Sequence, residues 1–167
     1  MIVSGIAILL AHPRLYWGET GSVGTPSLLD LPLPFMLTGQ SGWGRYLHFL
    51  AAWICVLNGS LYVVWGLASG HFRKQESYSR LQRATYVVVV FVLFPVMIAT
   101  GLAMSPAVTS VIPALVNVFG GQQSARTIHF FVTTVLVVFL LGHIIMVSLA
   151  GFTTGVRAMI TGGNAHE

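Results

Sequence analysis

Residues 127–150 read TIHFFVTTVLVVFLLGHIIMVSLA, a run of 24 residues with no charged side chain and two histidines inside it. About 20 apolar residues cross the roughly 30 Å hydrocarbon core of a bilayer, so the run reads as a spanning helix. Two more such runs precede it, Arg45–Ser69 and Thr85–Met104. A fourth, Ile2–Ala11, has the composition but half the length. It ends in His12-Pro-Arg-Leu-Tyr-Trp-Gly18, where Pro13 stops a helix and Tyr16 and Trp17 suit the lipid–water boundary. A signal peptide would need a basic segment before the run and a small-residue cleavage pattern after it. The expected fold is therefore all-α and membrane-embedded. It is one domain over residues 1–167, a four-helix transmembrane bundle whose first helix is truncated, its missing half lying upstream of Met1.

Composition agrees with a bilayer as solvent. Charged residues make up 7% of the chain, against about 25% in soluble domains. The excess of eight Lys and Arg over four Asp and Glu is too small for a nucleic-acid surface and reads as anchoring to lipid. Cys55 is the only cysteine, which excludes a disulfide within one chain and suits a small core residue. The loop Gly70–Ala84 holds Arg73, Lys74, Arg80 and Arg83. Positive charge marks the cytoplasmic side, and Arg157 in the C-terminal tail falls there too. The loops His12–Gly44 and Ser105–Arg126 then face outward. The apolar stretch Leu28–Leu37 suits a connector and a docking surface equally.

Three of the six histidines, His48, His129 and His143, lie inside spanning runs, where ionisable groups are costly and mark function. His129 and His143 are 14 residues apart, close to four helical turns, so one helix face presents two imidazoles about 21 Å apart in depth. Haem iron takes axial imidazole, and helix bundles hold such ligands in their cores. Depth sets the pairing. The second and fourth runs cross in the same direction, with His48 and His129 each a few residues inside. That places them at one level, as two ligands of a single outer haem. His143 lies deeper, where the second helix offers Tyr62. Arg45-Tyr-Leu-His48 and Arg126-Thr-Ile-His129 repeat one pattern, with the arginine one turn nearer the outer water. Guanidinium there suits haem propionates, and interfacial anchoring is the other reading. Gly44 and Gly142 suit either the approach of a flat macrocycle or close packing between helices, and Pro95 and Gly101 mark a kink in the third helix. A small transporter using the same histidines as a proton relay is the alternative function, although no internal repeat or broken helix accompanies it. An anchor without a cofactor would leave three intramembrane imidazoles unexplained.

These residues resemble the cytochrome b561-type family that includes the b-type cytochrome of nickel–iron hydrogenases, the gamma subunit of formate dehydrogenases and the cytochrome b subunit of thiosulfate reductases. The resemblance covers nearly the whole chain. His48 matches the second-helix ligand, and His129 with His143 match the spacing on the fourth helix. His12-Pro-Arg-Leu-Tyr-Trp-Gly-Glu19, Tyr78-Ser-Arg-Leu-Gln-Arg83 and Thr100-Gly-Leu-Ala-Met104 are similar to the subgroup that lies beside molybdopterin oxidoreductases. The resemblance implies two haems b, the outer on His48 and His129 and the inner on His143 plus a first-helix ligand this chain lacks. It implies a bacterial inner-membrane electron carrier that is not itself an enzyme, with a quinone or quinol at the inner haem. Its partner is a periplasmic-side oxidoreductase of the molybdopterin or hydrogenase type. The quinone pocket is expected between His143 and the loop 70–84, with His71 and Arg73 as contacts.

The same geometry yields a sequence expectation. The depth of His143 corresponds to a first-helix position about 17 residues before Ala11, some five to ten residues before Met1. The upstream reading frame should encode a histidine there, and sequencing the adjoining DNA checks it.

Overall fold

The computed structural model describes residues 1–21, 24–32, 41–70 and 80–149. An α-helix satisfies its own backbone polar groups, the condition for crossing lipid, and helices dominate the described residues. The short apolar helix α1 (Ile2–Ala11) comes first. Two-residue strands follow, β1 (Arg14–Leu15) and β2 (Leu29–Asp30), paired antiparallel. Next come the long α2 (Ser41–Ala68), then α3 (Arg80–Val88), a π-helical turn (Val89–Leu93) and α4 (Phe94–Ala103). Two short helices, α5 (Pro106–Thr109) and α6 (Ala114–Val118), lead into α7 (Gln122–Leu149). Among the described residues three stretches are long and apolar enough to cross a membrane: Gly42–Ala68, Ala84–Ala103 and Gln122–Leu149. The chain packs as two units, Met1–His129 and Phe130–Glu167.

Both long helices start earlier than the apolar runs suggest, α2 at Ser41 and α7 at Gln122. Hydropathy marks where lipid begins, whereas hydrogen bonding continues into the interface. Arg45 and Arg126 are consequently the fifth residues of two 28-residue helices, and His48 and His129 the eighth. Large apolar side chains stand exposed along α2, including Leu57, Leu61 and Trp65, as a lipid-facing surface requires.

The third span carries a π-helical turn immediately before Pro95. Proline has no N–H and its ring crowds the preceding turn. A five-residue bond from the Phe94 N–H to the Val89 carbonyl takes up the mismatch. The irregularity expected at Pro95 thus takes the form of one wide turn, and α4 continues through Gly101.

The segment 12–18 docks on the first turn of α7. In an extended chain alternate carbonyls point the same way, and here those of His12, Arg14, Tyr16 and Gly18 all face α7. Arg126 donates to the His12 and Arg14 carbonyls, and the Thr127 hydroxyl to that of Tyr16 at 2.6 Å. The Gly18 carbonyl accepts from the backbone N–H of Gln123 at 2.9 Å and of Ser124 at 3.2 Å. Gly18 N–H donates to the Ser124 hydroxyl at 2.7 Å. Free N–H groups at the start of a helix need such acceptors. Between these bonds Leu15 is buried, and Arg14 pairs with Asp30 across the strands at 3.2 Å.

Gly121, at φ +117°, makes this docking possible, because a Cβ there would collide with the Gly18 backbone. Gly121→Ala should lower stability by about 1–3 kcal/mol through strain and loss of the Gly18 contact, read as a lower melting temperature in detergent.

Candidate functional site

His48 and His129 meet inside the first unit. Their ring centroids are 6.3 Å apart and their planes are inclined by 68°. Each is the eighth residue of its helix, and each ring is half-buried.

Neighbouring helices hold each ring by the same device. On α1, the Ser4 hydroxyl lies 3.1 Å from His48 Nδ1 and donates to the Met1 carbonyl at 2.9 Å. On α4, the Thr100 hydroxyl lies 2.9 Å from His129 Nδ1 and donates to the Val96 carbonyl at 2.7 Å. A hydroxyl has one proton to give. With that proton committed to a carbonyl, each oxygen is left as an acceptor for Nδ1–H. The backbone carbonyls of Met1 and Met97 also stand against the rings of His48 and His129 respectively. In that tautomer Nε2 is the ring nitrogen able to ligate a metal. The residue after each hydroxyl is glycine. A Cβ on Gly5 would stand 3.6 Å from His48 Cε1, and one on Gly101 would stand 3.5 Å from His129 Cε1.

This donor set fits an axial pair. Two imidazoles on one iron, with bonds of about 2 Å and about 1 Å from nitrogen to ring centre, have centroids about 6 Å apart. Among the described residues no group of three or more His, Cys, Asp or Glu comes together. A site of two neutral nitrogens is too sparse for a bare ion and is sufficient where a porphyrin supplies the other four.

Above the pair lie His12, Arg45 and Arg126. Arg45 is exposed, while Arg126 gives two of its N–H groups to the His12 and Arg14 carbonyls. Both guanidinium groups act electrostatically on His12, so the two arginines share this end of the site. Of the two roles open to Gly44, the structure shows helix packing. A Cβ there would stand 3.1 Å from Ala7 Cβ, so the residue admits α1 against α2. Gly142 has open space around it. In the second unit, exposed His143 stacks on Phe139 with centroids 6.0 Å apart. His71 and Arg73 lie outside the described residues. Ser4 and Thr100 escaped the sequence reading, although the repeated hydroxyl–glycine pair in two apolar helices was a visible signal.

A family model described as prokaryotic cytochrome b561 matches residues 1–162. Proteins of that family are membrane-embedded electron carriers that bind haem b. The chain is also similar to the Azospira oryzae protein named "Putative protein-methionine-sulfoxide reductase subunit YedZ1". The two are 27% identical over 158 residues, covering 79% of this chain and 77% of that one. No solved structure matches the chain significantly.

His12 supplies a pH test of the outer end. Partial burial, then Arg126, then Arg45 lower its pKa below the ordinary 6.5. The unfolded chain therefore binds this proton more readily than the folded one, and stability rises with pH across the interval between the two values. Its contribution is intact above about pH 6.5 and is lost as pH falls through the lowered folded value. His12→Asn should flatten that acid limb in melting curves recorded against pH.

Proposed function

The chain belongs to the prokaryotic cytochrome b561 family, and from that premise we propose that it passes electrons between a membrane quinone and an oxidoreductase on the periplasmic side. The observation that carries this reading is the His48–His129 pair, with centroids 6.3 Å apart and Nδ1 occupied on both rings. These two side chains would hold the outer haem b, and His143 would supply one ligand of an inner haem. Bound haem b provides a one-electron carrier inside the hydrocarbon layer. Arg45 and the remaining N–H groups of Arg126 would pair with its propionates, whose carboxylates match guanidinium.

The partner is of the molybdopterin or hydrogenase type. The name of the similar Azospira oryzae protein, a reductase subunit, supports an assembly of that kind. The loop 70–84 and the C-terminal tail lie in the cytoplasm, on the charge pattern of Arg73, Lys74, Arg80 and Arg83. The quinone binds at that end of the wire, opposite the partner, with His71 and Arg73 as contacts.

The test is haem quantification with reduced-minus-oxidised spectra on purified membranes. His48→Ala and His129→Ala should each remove about one haem equivalent, whereas Tyr62→Phe leaves the content unchanged. A full bis-imidazole spectrum in both alanine variants would overturn the ligand assignment.

A further inference from the structure

We propose that Ser4 and Thr100 are positioning residues that lock the two imidazole planes at a large angle and thereby set the electronic character of the iron they share; this rests on the haem reading above. The two residues act as equivalents. Each is the hydroxyl of a hydroxyl–glycine pair, Ser4-Gly5 on α1 and Thr100-Gly101 on α4. Each sits on a different helix from the histidine it contacts, and both are fully buried, Ser4 at 1% exposure and Thr100 at 0%. In each case the hydroxyl and the carbonyl three residues earlier, of Met1 and of Met97, face the same ring. The hydroxyl oxygen at Nδ1, with that carbonyl beside it, fixes the rotation of the ring about its metal bond, beyond fixing its tautomer. The glycine keeps the Cε1 edge of the ring against the helix, with a hypothetical Cβ only 3.5–3.6 Å away.

The angle so fixed is 68°. Axial imidazoles donate π density perpendicular to their planes. When the planes are parallel, both rings raise the same iron d orbital, and ferric haem gives a rhombic spectrum with three resolved features. When the planes approach a right angle, each ring raises a different orbital and the two stay nearly degenerate. Orbital angular momentum then survives, and the spectrum collapses to one strongly shifted low-field feature. The Nδ1–H bond also pushes electron density onto the ring, which favours ferric iron and lowers the potential, as outer-shell partners of metal-bound histidine do in general.

The experiment is electron paramagnetic resonance with a redox titration on the full chain in purified membranes, following the haem that His48→Ala removes. The wild type should show the strongly anisotropic low-spin signal. Thr100→Val retains the shape and the Met97 carbonyl, so haem content should hold. Its signal should broaden toward the rhombic form and its potential rise, with Thr100→Ser restoring both. Ser4→Ala should act in the same direction through His48. A rhombic wild-type signal, or valine and alanine variants with unchanged spectrum and potential, would overturn the positioning role while leaving the ligands in place. A signal that survives in both His48→Ala and His129→Ala would instead overturn the haem reading beneath it.

Discussion

The arrangement of the first unit depends on satisfying backbone groups where water is scarce. The first turn of α7 presents free N–H groups, and segment 12–18 leaves α1 with free carbonyls. Each supplies what the other lacks, through Arg126, Thr127 and the N–H groups of Gln123 and Ser124. A buried amide or carbonyl without a partner costs on the order of 1–3 kcal/mol, so four engaged carbonyls in seven residues define one docking register. That register ties the exit of α1 to the entry of α7. Ser4 and His129, seven or eight residues from the respective junctions, inherit their depth from it.

The close contact of α1 with α2 completes the frame. Gly44 brings Ser4 and Ala7 against the start of α2, which is also what puts the Ser4 hydroxyl within reach of His48. Two hydroxyls from two helices then steady two histidines from two others. Neither imidazole of the pair is oriented by its own helix alone. Rigidity at the pair comes from the packing of four segments, a second shell of the kind that usually sets how well a metal-binding residue performs.

Much of this was legible from residues alone. The three spans follow from hydropathy, and the nearness of His48 to His129 was expected from counting along two runs read as crossing in the same direction. The starts of those helices were not legible, because Ser41, Gly42, Gly44 and Gln122 to Ala125 are polar or small and give no apolar run to extend. The β1–β2 pairing escaped because two-residue strands leave no periodic trace, and its cause is the burial of Leu15 under the junction with α7. The role of Gly44 stayed open between two readings for a general reason. A glycine signals close approach without saying of what, and here the neighbour is a helix. The roles of Ser4 and Thr100 needed coordinates, since hydroxyls in apolar helices most often bond back to their own backbone, as these also do.

The π-helical turn at Val89–Leu93 has a consequence for how such a chain tolerates change. A π turn is an α-helix holding one residue more than it needs. Deleting a single residue within it would restore a regular helix and leave Thr100 and Gly101 on the face that meets His129, because the wide turn already absorbs the extra residue. Deleting one from the regular helix between the π turn and Thr100 would instead swing everything beyond by about 100° and take both residues off that face, with no side chain at the site altered. The third span in this sense carries one spare residue, which it can lose at Val89–Leu93 and nowhere nearer the site.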